Sequence, residues 1–314
     1  MIKIRYFQPG DEVAQLEIYN QAAAALPRFK PATLGEIQRR TRARDFDPSS
    51  RFYAEVGGRV VGYAISSPNG RVSFPWTLPG HEQQRGPLFQ ALLIELEKKG
   101  VKRLFAAYRE DWPLIHQFFH THGFRKARDM VNFAIDLGDM PTPAARPSTT
   151  FTPLVPEDVP AVLKLAPEIL RIHDPAALER YLFHNPYFPA DSLYTLRSRA
   201  DQTPLAVGIM INDMSYADCK VVDSNLPCFR LGAFGTEGMQ AKRIKGLFSF
   251  LAKQDRNMNL LGMDLLGQAS FRLRDSDDIE TLAAQAPSDA PALLNFYSRI
   301  FQRQGSFPVF ELER

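Results

Sequence analysis

The sequence predicts a mixed α/β protein built from two modules. Three observations carry that expectation: the length, a Pro-rich stretch near the middle, and landmarks that recur in one order on either side of it. At 314 residues the chain is about twice the usual length of one domain. It is 45% hydrophobic and 23% charged, which excludes disordered, collagen-like and coiled-coil classes. Its 24 prolines and 23 phenylalanines point to an aromatic core interrupted by many loops.

The stretch from Gly138 to Thr150 holds Pro141, Pro143 and Pro147 among small and hydroxylated residues, and reads as a semi-extended spacer. The expected division is a first module over 1–139, a linker over 140–150 and a second module over 151–314. The halves repeat in order. Pro9-Gly10-Asp11 precedes Val13, Leu16 and Ile18, and Pro156-Glu157-Asp158 precedes Val159, Val162 and Leu163. Gln84-Arg85-Gly86-Pro87-Leu88-Phe89 matches Arg243-Ile244-Lys245-Gly246-Leu247-Phe248, each read as a polar loop running into a helix. Asp111-Trp112-Pro113 matches Asp289-Ala290-Pro291 as a helix start, and Gly123-Phe124 matches Gly305-Ser306-Phe307 as a helix end before a last strand. The offsets grow along the chain, as expected of one module copied with insertions.

In the first half, Arg51–Val56 and Val60–Ile65 flank Gly57-Gly58, a hairpin turn that permits positive φ. Arg71–Trp76 reads as a third strand. A helix is expected from Pro87 to Lys99, with Pro in its first turn and Gly100 just past its end. Leu88, Ala91, Leu92 and Leu96 give that helix an apolar stripe. Lys102–Tyr108 is the next strand, and Val131–Leu137 closes the module.

The two loops carry the most chemistry. The first-turn N–H groups of a helix lack partners and its dipole is positive there, so a strand-to-helix junction accepts an anion such as a pyrophosphate. Arg243 and Lys245 add charge, and Gly246 permits close approach of backbone. An ordinary tight turn with solvated basic residues is the alternative. Pro87 offers no N–H, so the first loop is the poorer binder.

On these residues the chain resembles the GNAT acyltransferase superfamily, as a tandem pair. The resemblance implies two modules, each a twisted, mostly antiparallel sheet flanked by helices. That family's loop, Gln/Arg-x-x-Gly-x-Gly/Ala, holds the pyrophosphate of acetyl-coenzyme A. Arg243–Phe248 matches its first and fourth positions; Gln84–Phe89 matches only the first. The resemblance therefore implies an acetyl-CoA (or other acyl-CoA) site in the second module, on Arg243, Ile244, Lys245, Gly246, Leu247 and Phe248. Backbone N–H groups near Leu231, Ala233 and Phe234 would stabilise the oxyanion. The family often places a Tyr four residues before the Gly-Phe, where this chain has Phe119 and Phe301. Counted from the helix start instead, the second module has Tyr297, a candidate general acid or a packing residue. Glu237 or Asp264, through water, are candidate bases.

Other chemistries weigh less. Cys219 and Cys228 fit no zinc or redox spacing and are expected to be reduced thiols. His116 and His120 share an i, i+4 spacing, but no third ligand or following Glu accompanies them. The basic run Gln38–Arg44 reads as a solvated helix end rather than a nucleic-acid site, and a net charge of +3 calls for no such partner. Asp275, Asp277, Asp278 and Glu280, in an insertion over 272–287, are either a cation-holding edge or a solvated loop. No signal peptide or membrane-length apolar run is present, so a cytoplasmic protein is expected.

The expected function is N-acyl transfer from acyl-CoA to an amine of a small molecule or peptide. The rival is a catalytically silent module that binds acyl-CoA or another protein. Neither the acceptor nor the oligomeric state is legible.

Overall fold

A computed structural model describes residues 2–42, 46–67, 70–140, 148–167, 172, 174–184, 190–211, 246–253, 255–271 and 281–314. They form two compact units. Unit 1 is Met1–Arg128 with Phe307–Arg314; unit 2 is Asp129–Ser306. The division thus differs from the expected one. It falls at Arg128/Asp129 and again at Ser306/Phe307, so the last strand of each half belongs to the unit of the other half.

Unit 1 opens with β1 (Ile2–Tyr6) and helix α1 (Asp11–Ala22), entered through Gly10 at φ 101. Helix α2 (Leu34–Thr41) starts on a capping box in which Thr33 and Glu36 satisfy each other's backbone N–H. Strands β2 (Arg51–Val56) and β3 (Arg59–Ile65) form the expected hairpin, with Gly57 and Gly58 both at positive φ. Together with β4 (Trp76–Thr77) they make an antiparallel sheet ordered β1-β2-β3-β4. The third run is shorter than expected: only Trp76 and Thr77 form a strand, preceded by single bridges at Val72 and Arg71. Helix α3 (Arg85–Lys98) begins two residues ahead of Pro87 and ends before Gly100, at φ 71. It buries Leu88, Phe89, Leu92, Leu93 and Leu96. Strand β5 (Arg103–Ala107) and helix α4 (Pro113–Thr121) follow. Asp111 does not cap α4; its carboxylate takes Arg109 Nε and Nη2 instead. Strand β6 (Arg125–Asp136) is longer than expected and leaves unit 1 partway along.

Unit 2 contains β7 (Thr149–Pro153), the short helix α5 (Val159–Val162), α6 (Pro175–Phe183), β8 (Leu193–Ser198) and β9 (Pro204–Ile211). Strand β10 (Gly246–Ala252), helix α7 (Met258–Phe271), β11 (Thr281–Pro287) and helix α8 (Pro291–Ile300) complete it, before β12 (Gln302–Glu313) carries the chain back to unit 1. Its strands run in the order β6-β11-β10-β9-β8-β7, all antiparallel except the β10–β11 pair. The mixed α/β expectation with mostly antiparallel sheets holds. Two details are corrected. Gly246–Phe248 do not open a helix but begin β10, and Gly305 lies inside β12 rather than ending a helix. Thr281–Pro287 is likewise a buried strand, not the end of a solvated loop.

Each unit has its own core. In unit 1 Phe52, Tyr53, Leu88, Phe89, Trp112, Phe119, Phe124 and Phe310 lie in one cluster. In unit 2 Phe133, Phe248, Phe250, Leu265, Phe296 and Tyr297 lie in another.

Candidate active site

Both units contain a parallel strand pair that opens into a fork. In unit 2, β10 and β11 pair only at Gly246–Leu282 and Leu247–Ala283. Beyond those positions β10 pairs with β9 alone and β11 with β6 alone. The phase of β10 follows from the Lys253 N–H, which donates to Leu205 O of β9. Bonding alternates along an antiparallel pair, so the Leu251 and Ser249 N–H groups also point to β9, and the Phe250 N–H points into the fork. The facing strand offers only the methyl groups of Ala284 and Ala286 on the same side as the Phe250 ring.

In unit 1 the corresponding contact is a single parallel bridge, Arg71–Phe105. The Val72 N–H donates to Phe105 O at 2.9 Å and the Phe105 N–H to Gly70 O at 3.0 Å. Gly70 sits at φ +86, and a Cβ there would meet Arg103 O at 2.1 Å, so only glycine lets the strands approach. Three residues past the bridge the Phe74 N–H donates to the Tyr108 hydroxyl at 2.6 Å. The same count in unit 2 pairs Phe250 with Ala286, which has no hydroxyl to offer. Pro75, next along β4's approach, has no N–H. The first fork is closed by its own side chains; the second has a donor facing its gap.

Each fork leads into a helix. In unit 1 the junction is Leu78–Gln84, with helix α3 starting at Arg85. The half-buried Arg85 guanidinium lies 5.2 Å from the Phe74 ring centroid, and its Nε donates to Thr77 Oγ1 at 3.2 Å. Burial lowers its pKa, against the opposing effect of the Glu82 charge. Gly86 is exposed, with open space where a Cβ would stand. In unit 2 the helix that follows β10 starts at Met258, so the described part of the junction is Lys253 and 255–257. Lys253 and Arg256 are exposed there, and Asp255 Oδ1 accepts the Asn257 N–H at 2.8 Å just before helix α7.

The remaining expected site residues divide. Leu231, Ala233, Phe234, Glu237, Arg243, Ile244 and Lys245 lie outside the described residues. Gly246 and Leu247 form the parallel pairs at the base of the fork, and Phe248 is buried in the core. Tyr297 is the seventh residue of α8, as Phe119 is of α4. Its ring is buried, 6.0 Å from that of Phe250 and 5.6 Å from that of Phe133. Asp264 is buried on α7, and Thr149 Oγ1 of β7 donates to its Oδ2 at 3.2 Å.

His116 and His120 pack on the Phe310 ring, and burial lowers the His116 pKa below the ordinary 6.5. No group of three metal-ligating side chains exists among the described residues. The acidic residues 275–280 lie outside them, as do the side chains of Arg39 and Arg40 and all of 43–45. Among the described residues no helix is long and apolar enough to cross a membrane.

No protein-family model matches the chain, and no curated protein does. Solved structures do. A GCN5-related N-acetyltransferase from Sphaerobacter thermophilus superposes with a TM-score of 0.61 at 12% identity, covering 99% of this chain and 95% of that one. The GCN5-related glucosamine N-acetyltransferase region of a fungal multi-domain β-N-acetylglucosaminidase gives 0.65 at 15% identity, covering 99% of this chain and 38% of that one. A tandem GNAT protein from the clavulanic acid biosynthesis pathway gives 0.54 at 14% identity, covering 100% and 98%. The chain has the tandem GNAT fold.

Proposed function

We propose that the protein transfers an acyl group from coenzyme A to an amine, and that the transfer takes place in the fork of unit 2. The observation that carries this reading is the contrast at one position. The Phe250 N–H faces the gap beside Ala286, whereas its counterpart in unit 1, Phe74, is capped by Tyr108. A bound acyl-CoA would supply the activated thioester. The Phe250 N–H would then hold the acyl oxygen and the negative charge that grows on it, in surroundings already dry. Lys253 and Arg256, with the first turn of α7, suit the diphosphate of the cofactor. The Tyr297 hydroxyl would return a proton to the leaving sulfur. The acceptor is an amine of a small molecule or peptide.

One observation favours a second role for unit 1. Arg85 and Gly86 at the start of α3 suit a diphosphate, while Tyr108 denies the acyl group its donor. That combination fits binding of acyl-CoA without turnover. Titration calorimetry with acetyl-CoA separates the roles. Lys253→Ala with Arg256→Ala should lower affinity at the site that supports turnover at least tenfold, and Arg85→Ala should weaken binding without changing turnover. Turnover lost only in Arg85→Ala would move the reaction to unit 1.

A further inference from the structure

Unit 2 buries a polar pair at its fork that the steps above do not use. Asn132 of β6 and Gln285 of β11 are direct cross-strand partners, 1% and 3% exposed. Gln285 Nε2 donates to Asn132 Oδ1 at 2.7 Å. Asn132 Nδ2 and Gln285 Oε1 are buried too, and neither has a hydrogen-bond partner among the described residues. Exchanging O and N in both amides leaves the same remainder, one donor beside one acceptor. A buried polar atom left unmatched bears its full desolvation cost, so such a remainder points to a group that matches it.

Position and contrast give the remainder a meaning. Val131 and Phe133 of β6, and Ala284 and Ala286 of β11, lie in the core with Tyr297. Side chains alternate along a strand, so Asn132 and Gln285 point to the opposite face of the sheet. Gln285 lies two residues past Ala283, where β11 parts from β10. The same count in unit 1 gives Ala107, whose cross-strand partner is Val309. Two apolar residues fill those places, so the fold itself has no need of the amides.

We propose that Asn132 and Gln285 bind the amine acceptor, and that this acceptor carries a carboxamide or peptide group next to its amine; the proposal rests on the acyl-transfer reading above. A carboxamide complements the remainder on both sides: its oxygen accepts from Asn132 Nδ2 and its N–H donates to Gln285 Oε1. A carboxylate brings only acceptors and would face the Gln285 oxygen. An alkylamine brings nothing for either atom.

The test compares glycinamide, glycine and ethylamine as acceptors for acetyl-CoA, with the wild type and an Asn132→Leu, Gln285→Met double variant. In the wild type kcat/KM for glycinamide should exceed that for ethylamine at least tenfold. In the double variant the ratio should fall to about 1 through KM, with acetyl-CoA affinity and Tm not lowered, because apolar replacement of both partners is close to neutral. Saturation-transfer NMR with N-acetylglycinamide needs no turnover, and its signal should appear in the wild type and vanish in the variant. Binding that vanishes while no amine is acetylated would leave this site standing and sink the acyl-transfer reading. No binding, or a preference unchanged in the variant, would overturn the proposal. If the double variant does not fold, Gln285→Met alone carries the same comparison.

Discussion

The Tyr108 hydroxyl accepts the backbone N–H of Phe74 across the fork of unit 1, at 2.6 Å. The bond spans the fork beyond the parallel bridge, and it occupies the donor whose counterpart in unit 2, the Phe250 N–H, points away from β9. Tyr108→Phe removes the acceptor and leaves a buried N–H unmatched. It should destabilise the protein by about 1–3 kcal/mol, measured by urea denaturation, while acetyl transfer at neutral pH is unchanged. A change in kcat at constant stability would mean that unit 1 takes part in the chemistry.

Tyr297→Phe keeps the ring among Phe133, Phe248, Phe250 and Phe296 and removes only the hydroxyl. A group that protonates the leaving thiolate acts in the transition state alone, so kcat should drop at least tenfold with the acetyl-CoA dissociation constant unaltered. Undiminished kcat would leave Tyr297 as a packing residue.

Gly262 of α7 packs against two rings: a Cβ there would meet Phe296 Cε2 at 2.7 Å and Phe250 Cε2 at 2.8 Å. Gly262→Ala should cost roughly 1–3 kcal/mol by overpacking, and because it pushes on Phe250 it should also lower turnover. Gly70→Ala is the harsher change, since the atom it would strike is backbone and its φ is strained for any other residue. Circular dichroism melts of the two variants should rank them in that order.

Asp111 titrates below the ordinary 3.8 because Arg109 bonds both its oxygens, against an opposing effect of burial. A depressed value in the folded state means that the pair stabilises fully above the ordinary pKa and is lost as pH falls through the lower folded one. Asp111→Asn should therefore lower stability near neutral pH and flatten its decline on acidification. Urea midpoints measured from about pH 6 down to about pH 2 report both effects.

Local signals were legible in the sequence and distant pairings were not. Gly57-Gly58 announced its hairpin, and Gly100 the end of α3, because a glycine at positive φ acts within a few residues. The Leu247-Phe248 pair was read as a helix start by analogy with Leu88-Phe89. Yet Phe248-Ser249-Phe250 alternates with a period of two, and two core rings flanking a residue on the other face signal a strand. The helix expected to begin at Leu247 instead starts at Met258, after β10 has ended at Ala252. The Asn132–Gln285 pair spans 153 residues and leaves no trace in any window of sequence. The helix position of Tyr297 was legible because its helix start repeats that of Phe119.

The division at Arg128/Asp129 and Ser306/Phe307 has a hereditary consequence. Each half of the gene encodes the closing strand of the other half's unit, so the halves cannot be exchanged between relatives one at a time. A chimaera that kept one half and replaced the other would set Met130–Asp136 against a foreign Thr281–Pro287, and Val309–Glu313 against a foreign Arg103–Ala107. Substitutions in each of these segments are expected to be matched in its partner strand rather than in its neighbours along the chain. The two halves of the chain are therefore expected to change together.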